Sequence, residues 1–460
     1  MARISRGHHD DPAAARVVRG LVSPILGVFR TQAQGGAILV LSALAALFWA
    51  NSEGADFYHH LLELPLAVVV GEHALRLPLE HWVNDGLMAI FFFAVGLEIK
   101  REVLSGELSD PRAAVLPIAG AVGGVVVPAL VFSLINIGQP TAAGWGIPMA
   151  TDIAFALGVL ALLGARVPLW MMVFLTALAI VDDLLAVVVI AAFYTAEIHL
   201  TGLWLALGAW AFVLLMNARD VRAPALYLAA GATMWFGLHE SGIHATIAGV
   251  LMGLSVPASP RIDRRHLVDE VEASLDAFRK REGKPLASPK QAAAALTAMA
   301  HATSAAEPPS HRIEHALHRP VAWLILPIFA LANAGVAVGG ETSVGAALTS
   351  PAGLGVLLGL LLGKPLGIFG ASWLAVRLGL GQLPPGAKWS QLLGAAQLGG
   401  IGFTMSLFVT GLAFGEPGPV AQAKLGILVG SAIAAVIGLF LLGRSLPAAD
   451  SDAAPPAGGH

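Results

Sequence analysis

Residues Leu169 to Tyr194 make twenty-six consecutive, almost wholly apolar positions, and the charged residues among them are two adjacent aspartates at the midpoint, Asp182 and Asp183. As a helix rising about 1.5 Å per residue, the run is ~39 Å long and crosses a hydrocarbon core about 30 Å thick with both carboxylates near its centre. Ionisable residues at that depth are costly and mark ion pathways, proton relays or counter-ions. Consecutive helix positions point about 100° apart, so one carboxylate can face a cavity while the other faces a neighbouring helix. The plainer reading, a helix cap or a structural salt bridge, accounts for one aspartate of the two.

Composition places the rest of the chain in the same environment. Of 460 residues 56% are hydrophobic and 12% charged, against about 25% charged in soluble domains. The 52 Gly and 28 Pro fall largely inside apolar runs, as in membrane helices that pack closely or are interrupted. The absence of cysteine excludes disulfides and thiolate metal sites. A net charge of -3 gives no sign of a nucleic-acid partner. Residues 1–34 carry Arg3, Arg6, Arg16, Arg19 and Arg30 without the pattern of a removable signal peptide. There His8, His9, Asp10 and Asp11 read as a solvated tail rather than a metal site, since no further ligand lies at a useful spacing.

Apolar runs predict spans at 35–50, 82–104, 113–135, 143–164, 169–194, 201–216, 223–238, 242–256, 320–338, 351–375, 390–413 and 422–443, an all-α membrane protein with twelve transmembrane helices. The organisation is then a cytoplasmic segment 1–34, eight spans within 35–256, a cytoplasmic loop 257–319, four spans within 320–443 and a disordered cytoplasmic tail 444–460. Of the 27 Lys and Arg only Arg76, Lys364 and Lys424 fall off one side of this arrangement. By the positive-inside rule both termini are cytoplasmic.

The extracytoplasmic loop 51–81 contains Leu64 to Val70 and His73 to Leu79, two extended segments about Gly71-Glu72, or equally an irregular loop. A β-hairpin there has an edge that invites a second copy. In the loop 257–319, Leu267, Val271, Leu275 and Phe278 recur at helical spacing among charged residues, and the Ala-rich stretch 291–306 reads as a linker. Sixty-odd residues with so few large apolar side chains bury little core, so a spacer is expected, not a catalytic domain.

Inside the spans the remaining ionisable residues are Asp85, Glu98, Asp152, His244 and Lys364, with Lys100, Arg101 and Glu102 at a cytoplasmic end. Asp152 follows Gly146, Pro148 and Thr151, which interrupt their run, and the second half of the chain has a similar interruption at Gly399-Gly400-Ile401-Gly402. Broken helices expose carbonyls and dipole ends at membrane depth, where ions and charged side chains satisfy them. Lys364 is a buried cation placed to partner an aspartate. Two carboxylates about 5 Å apart at an effective dielectric near 20 repel by about 3 kcal/mol, so protons or a small hard cation must neutralise them. Competition of Na+ and H+ for one such site, exposed alternately to each side, is exchange.

Val181-Asp182-Asp183-Leu184, Ala150-Thr151-Asp152-Ile153-Ala154-Phe155, Asn84-Asp85-Gly86-Leu87-Met88-Ala89, Gly96-Leu97-Glu98-Ile99-Lys100-Arg101-Glu102, His244-Ala245-Thr246, Gly363-Lys364-Pro365-Leu366-Gly367 and Gly402-Phe403-Thr404-Met405-Ser406 resemble, in order, the motifs of the NhaA-type bacterial sodium/proton antiporters. That family is itself a standard example of inverted-repeat transporters with discontinuous helices. The resemblance implies a core of two inverted three-helix repeats with two such helices, a bundle that contributes most contacts of a dimer to which the 51–81 hairpin edge is then expected to add, and electrogenic exchange of Na+ or Li+ for H+ at the bacterial inner membrane, with pH-dependent activity and no enzyme chemistry or cofactor. It implies that Asp183 and Asp182 hold the transported metal ion, with Asp182 pairing with Lys364 in one state. Asp152, Thr151 and Lys364 complete the cation and proton site. The pH-responsive funnel cluster maps onto Glu98, Arg101, Glu102 and Glu314, with His315 and His318 beside it, His244 at a position that affects pH dependence and Asp85 as an accessory group.

The chain departs from the family in the long loop before Arg312 and in Arg319, where a Pro is expected; both touch the pH-response region. An intramembrane aspartyl protease needs carboxylates from two helices, and adjacent aspartates on one helix fit it poorly. A cation channel, or a retinal-type pump built on Lys364, is separated by flux coupling and by an absorbance spectrum.

Overall fold

The computed structural model describes residues 34–70, 73–195, 198–219, 221, 223–259, 268–269, 272, 297, 308–339 and 343–447. The expected N-terminal segment to residue 33, nearly all of the amphipathic and Ala-rich parts of the long loop, and the tail beyond 447 lie outside the described residues.

In chain order the elements are α1 (Gln34–Ala50), α2 (Ala55–Glu63), β1 (Pro65–Val70), β2 (His73–Pro78), α3 (Met88–Ser105), α4 (Pro111–Ile135), α5 (Ile153–Ala161), α6 (Leu169–Phe193), α7 (Leu200–Ala218), α8 (Pro224–Ser241), α9 (Ile247–Ser255), α10 (Pro309–Pro320), α11 (Leu326–Asn333), α12 (Pro351–Leu358), α13 (Lys364–Arg377), α14 (Trp389–Leu398), α15 (Phe403–Ala413) and α16 (Pro417–Ser445). Wider π-helical turns lead into three of them: Trp82–Leu87 into α3, Val321–Ile325 into α11 and Gly359–Gly363 into α13. The strands β1 and β2 pair antiparallel from Pro65↔Pro78 to Val70↔His73, so the extended segments read in the 51–81 loop form a hairpin.

Among the described residues 6 helices are long and apolar enough to cross a membrane, or up to 9 if each bent pair counts as one span. Two of the bent pairs are the interrupted runs seen in the sequence: Pro140–Met149 with α5 at 46° and α14 with α15 at 48°. Two of the twelve expected spans fall on helices that are too charged or too short to be counted. The helix α3 carries Glu98, Lys100, Arg101 and Glu102 in its last two turns, and α9 has only 9 residues, about 14 Å of helix.

The chain divides into two compact units. The first comprises residues up to Leu64, Val115–Asp182 and from Ala322 onward; the second comprises Pro65–Ala114 and Asp183–Val321. The division falls within α6, between its two aspartates. In the first unit α16 packs along both α12 and α14, and α15 packs against Pro140–Met149. There α4 and α13 cross backbone to backbone: a Cβ on Gly123 would strike the Gly367 carbonyl oxygen, and one on Gly367 would strike that of Gly123. Small residues permit such approach where lipid gives helices no hydrophobic drive to associate.

In the second unit α7 packs on α8, and α3 packs on both α9 and α10. Its core includes Val213, Met216, Met234, Leu238 and Met252. A Cβ on Gly96 would meet the Val250 carbonyl and one on Gly253 the Phe93 carbonyl, so α3 and α9 also touch through glycine.

Candidate functional site

The first unit gathers Thr151, Asp152, Asp182 and Lys364 from three places in the sequence. The break before α5 is extended at Ala150 and Asp152, and Asp152 N–H donates to the Ile401 carbonyl (2.7 Å) in the break before α15. Asp152 Oδ1 accepts from Phe155 N–H (2.9 Å), capping α5. Its Oδ2 accepts from Thr404 N–H (3.1 Å) and from the Thr404 hydroxyl (2.6 Å), at the start of α15. One carboxylate therefore closes two helix N-termini, each carrying about half a positive charge. Thr151 Oγ1 donates to the Gly399 carbonyl at 2.9 Å, which fixes the same crossing from its other side.

Lys364, at the first position of α13, has no solvent exposure. Its Nζ donates to both oxygens of Asp182 (2.9 and 2.8 Å) and to the Met149 carbonyl. Asp182 is 1% exposed. Helix geometry turns the next side chain, Asp183, about 100° away, and it too is buried, at 6% exposed. In this arrangement Lys364 occupies Asp182 on both oxygens, so a cation that needs Asp182 must first displace the ammonium.

The second unit holds the other predicted residues in two groups. Arg101 sits among three carboxylates: Glu314 at 3.0 Å, Glu102 at 2.8 Å and Glu98 at 3.9 Å. Arg101 Nε and Glu314 Oε2 are buried without a hydrogen-bond partner among the described residues. One guanidinium for three acids leaves the cluster's protonation and geometry coupled. His311 and His315 stand near Glu314 on the same helix.

His244 is not part of that group. Its Nε2 lies 3.8 Å from Asp85 Oδ1, and its Nδ1 lies 3.0 Å from the Thr246 hydroxyl. A second imidazole, His239, reaches Asp85 Oδ2 at 3.9 Å and stacks on Trp235, whose indole N–H donates to the Asp85 carbonyl at 3.0 Å. Asp85 precedes α3 and Glu98 lies thirteen residues further on, about 20 Å along a helix. An open apolar groove of about 910 Å³ in this unit, walled by Trp82, Phe93, Trp235 and Met252, has no carboxylate among the described residues that line it.

Sequence reasoning left three contributors out of its site. Thr404 stood in a quoted motif without a role, although a hydroxyl at the start of a half-helix is the kind of group a facing carboxylate uses. The Met149 carbonyl had no side-chain signal at all. His239 falls between the predicted spans 223–238 and 242–256, where no site was expected.

A family model described as Na+/H+ antiporter 1 matches residues 27–442. The chain is 46% identical over 438 residues to the Na(+)/H(+) antiporter NhaA of Oleidesulfovibrio alaskensis, covering 95% of this chain and 97% of that one. It is 46% identical over 424 residues to the Na(+)/H(+) antiporter NhaA of Koribacter versatilis, with 92% of each covered. To the Na(+)/H(+) antiporter NhaA 1 of Saccharophagus degradans it is 46% identical over 411 residues, with 89% and 88% covered.

Proposed function

The chain belongs to the Na+/H+ antiporter family that this model describes, a family of membrane transporters rather than enzymes, and from that premise we propose how it exchanges Na+ for H+ and which residues carry the ions. The buried Lys364–Asp182 pair, with Asp183 next along α6, is the observation that supports the reading most directly.

Asp183 is the first ligand for the dehydrating cation, since carboxylate and carbonyl oxygens are the hard donors that Na+ and Li+ prefer. Asp182 joins it when Lys364 withdraws. Leaving the cation's charge in place beside the ammonium would bring two positive charges together, so binding on one side releases protons and unloading on the other restores the Lys364–Asp182 pair. With Asp182 ionised in that pair, the protons carried inward ride on Asp183 and on the Lys364 ammonium; they outnumber the cation carried outward, which makes the cycle electrogenic, and a negative interior accelerates it.

The finer architecture follows the same reading: twelve spans, an inverted-repeat core whose crossing is closed by Asp152 and Thr151, and both termini in the cytoplasm of a bacterial inner membrane. Alternating access about a midplane site is the mode for which this family itself serves as an example. The Glu98, Arg101, Glu102 and Glu314 cluster sets the pH response, with His244 and Asp85 as a separate contribution, and the hairpin joins two copies.

The test is flux in proteoliposomes carrying an imposed pH gradient, with Na+, Li+ and K+ added in turn. Na+ and Li+ collapse the gradient, faster with a negative interior, and Asp183→Asn abolishes the effect. Dissipation that is independent of Na+, or that survives Asp183→Asn, sinks the assignment.

A further inference from the structure

At the end of α9 four successive carbonyls are taken up by three other elements. Lys100 Nζ, from α3, donates to the Leu254 carbonyl (2.8 Å) and the Val256 carbonyl (2.6 Å). Between them the Ser255 carbonyl accepts from the Asn217 amide of α7, and the next carbonyl, Pro257, accepts from Ser310 N–H of α10 at 3.2 Å. A helix leaves its last carbonyls without partners, and an ammonium there also meets the negative end of the dipole. Here those carbonyls serve as a joint.

The joint closes on the carboxylate cluster. Lys100 and Arg101 are neighbours on α3, about 100° apart around the helix, so one reaches α9 while the other pairs with Glu314 of α10 at 3.0 Å. Ser310 and Glu314 are four residues apart and share a face of α10. The contacts form a ring: Lys100 to Leu254 and Val256, Pro257 to Ser310, one turn along to Glu314, across to Arg101, and back to Lys100. Gly96, one turn before Lys100, lets α3 and α9 lie close enough for the lysine to pass the end of the shorter helix.

We infer that Lys100 is a positioning residue for the pH response: by pinning the end of α9 to α3, it sets the register in which Arg101 meets Glu314. The inference rests on the proposed role of the carboxylate cluster. Among the described residues the charged and titratable groups around the pair are Glu98, Lys100 and Glu102 on α3, Glu107 in the turn after it, and His311, Arg312, His315 and His318 on α10, while α9 contributes none. Lys100 touches no transported ion; it acts through the placement of Arg101. Pro257, where the 257–319 loop begins, and α10, near its end, both take part in this joint.

The experiment is the pH profile of Na+-dependent flux in proteoliposomes for Lys100→Met, Lys100→Arg and Glu314→Gln in the full chain. Lys100→Met moves the half-activation pH by about half a unit or more, the scale of one lost charge-assisted contact. Its Na+ KM at the optimum stays within about twofold, because uniform cation binding is untouched. Lys100→Arg, which can still cap the carbonyls, restores the profile. A purely structural role instead scales the rate equally at every pH, and that outcome overturns the inference. A wild-type profile for Lys100→Met beside a shifted one for Glu314→Gln also overturns it, with the cluster reading intact. If Glu314→Gln shifts nothing, the cluster reading falls and the inference with it. Should Lys100→Met not fold, Ser310→Pro decides: it removes the N–H that Pro257 accepts while the first turn of α10 tolerates proline, and an unmoved profile refutes the ring.

Discussion

Replacing Lys364 with methionine keeps the volume of the side chain and removes its charge, leaving Asp182 at 1% exposure without the ammonium that now holds both its oxygens. Breaking a buried pair on one side costs about 3–5 kcal/mol, because the remaining charge is neither solvated nor compensated. Two consequences separate this cost from a packing defect. Asp182→Asn in the same chain removes the orphaned charge, so the double variant recovers most of the loss. A cation that binds the folded site replaces the missing charge: at a hundred times its Kd, Na+ contributes about 2.7 kcal/mol, which offsets more than half of the deficit. In the unaltered protein Na+ must displace Lys364 first, so its stabilisation is smaller. The assay is thermal unfolding in detergent, in NaCl against choline chloride at equal ionic strength. Equal melting points for Lys364→Met and the parent, or a deficit that neither Asp182→Asn nor Na+ reduces, would refute the view that Lys364 and the cation alternate on Asp182.

Thr404→Ala removes the 2.6 Å hydroxyl bond to Asp152 and costs about 1.5–3 kcal/mol of thermal stability, whereas Thr404→Ser retains most of it. Asp152→Asn takes a full charge from two helix N-termini, about 1–4 kcal/mol together, and shows as lower stability with Na+-dependent collapse of a pH gradient still present; Asp182→Asn shows the reverse emphasis, with exchange lost. Deleting the hairpin 65–78, whose Leu66, Val68 and Val69 are 42%, 51% and 64% exposed, converts dimers to monomers by light scattering in detergent and leaves flux per chain measurable. Deleting 262–308 shifts the pH of half-activation more than the Na+ KM; an unmoved pH profile makes the loop a passive spacer.

The sequence showed the ingredients of the site because charges are rare in apolar runs. Asp152, Asp182, Asp183 and Lys364 stand out there as they never would in a soluble domain, and Gly146, Pro148 and Gly399 to Gly402 announce the two breaks beside them. Their assembly was less legible. Asp182 and Lys364 are 182 positions apart, and nothing local says which aspartate the lysine takes. The Met149 carbonyl and the Leu254 to Pro257 carbonyls do their work without a distinctive side chain, so no residue pattern points to them. Hydropathy is also weak at the end of α3, whose last two turns hold four charged residues that build the Arg101 cluster and cap α9. The hairpin, balanced in the sequence against an irregular loop, is settled by the Pro65↔Pro78 to Val70↔His73 register.

Asp152 and Asp182 differ in how their partners are held, and that difference supports the roles proposed for them. Asp152 accepts from two backbone N–H groups and one hydroxyl, all fixed by the two half-helices it joins. A proton or a cation arriving there must displace two N–H donors that are fixed in the backbone. Asp182 has Thr151 beside it, but its counter-charge is one lysine on a flexible four-carbon stem, a group that side-chain rotation alone can detach. A carrier site needs a counter-charge that detaches; a crossing of broken helices needs one that does not. In the proposed cycle the same chemistry, a buried carboxylate, is a fastener at Asp152 and an exchangeable seat at Asp182, with Asp183 next along α6 to receive the cation while the seat is occupied.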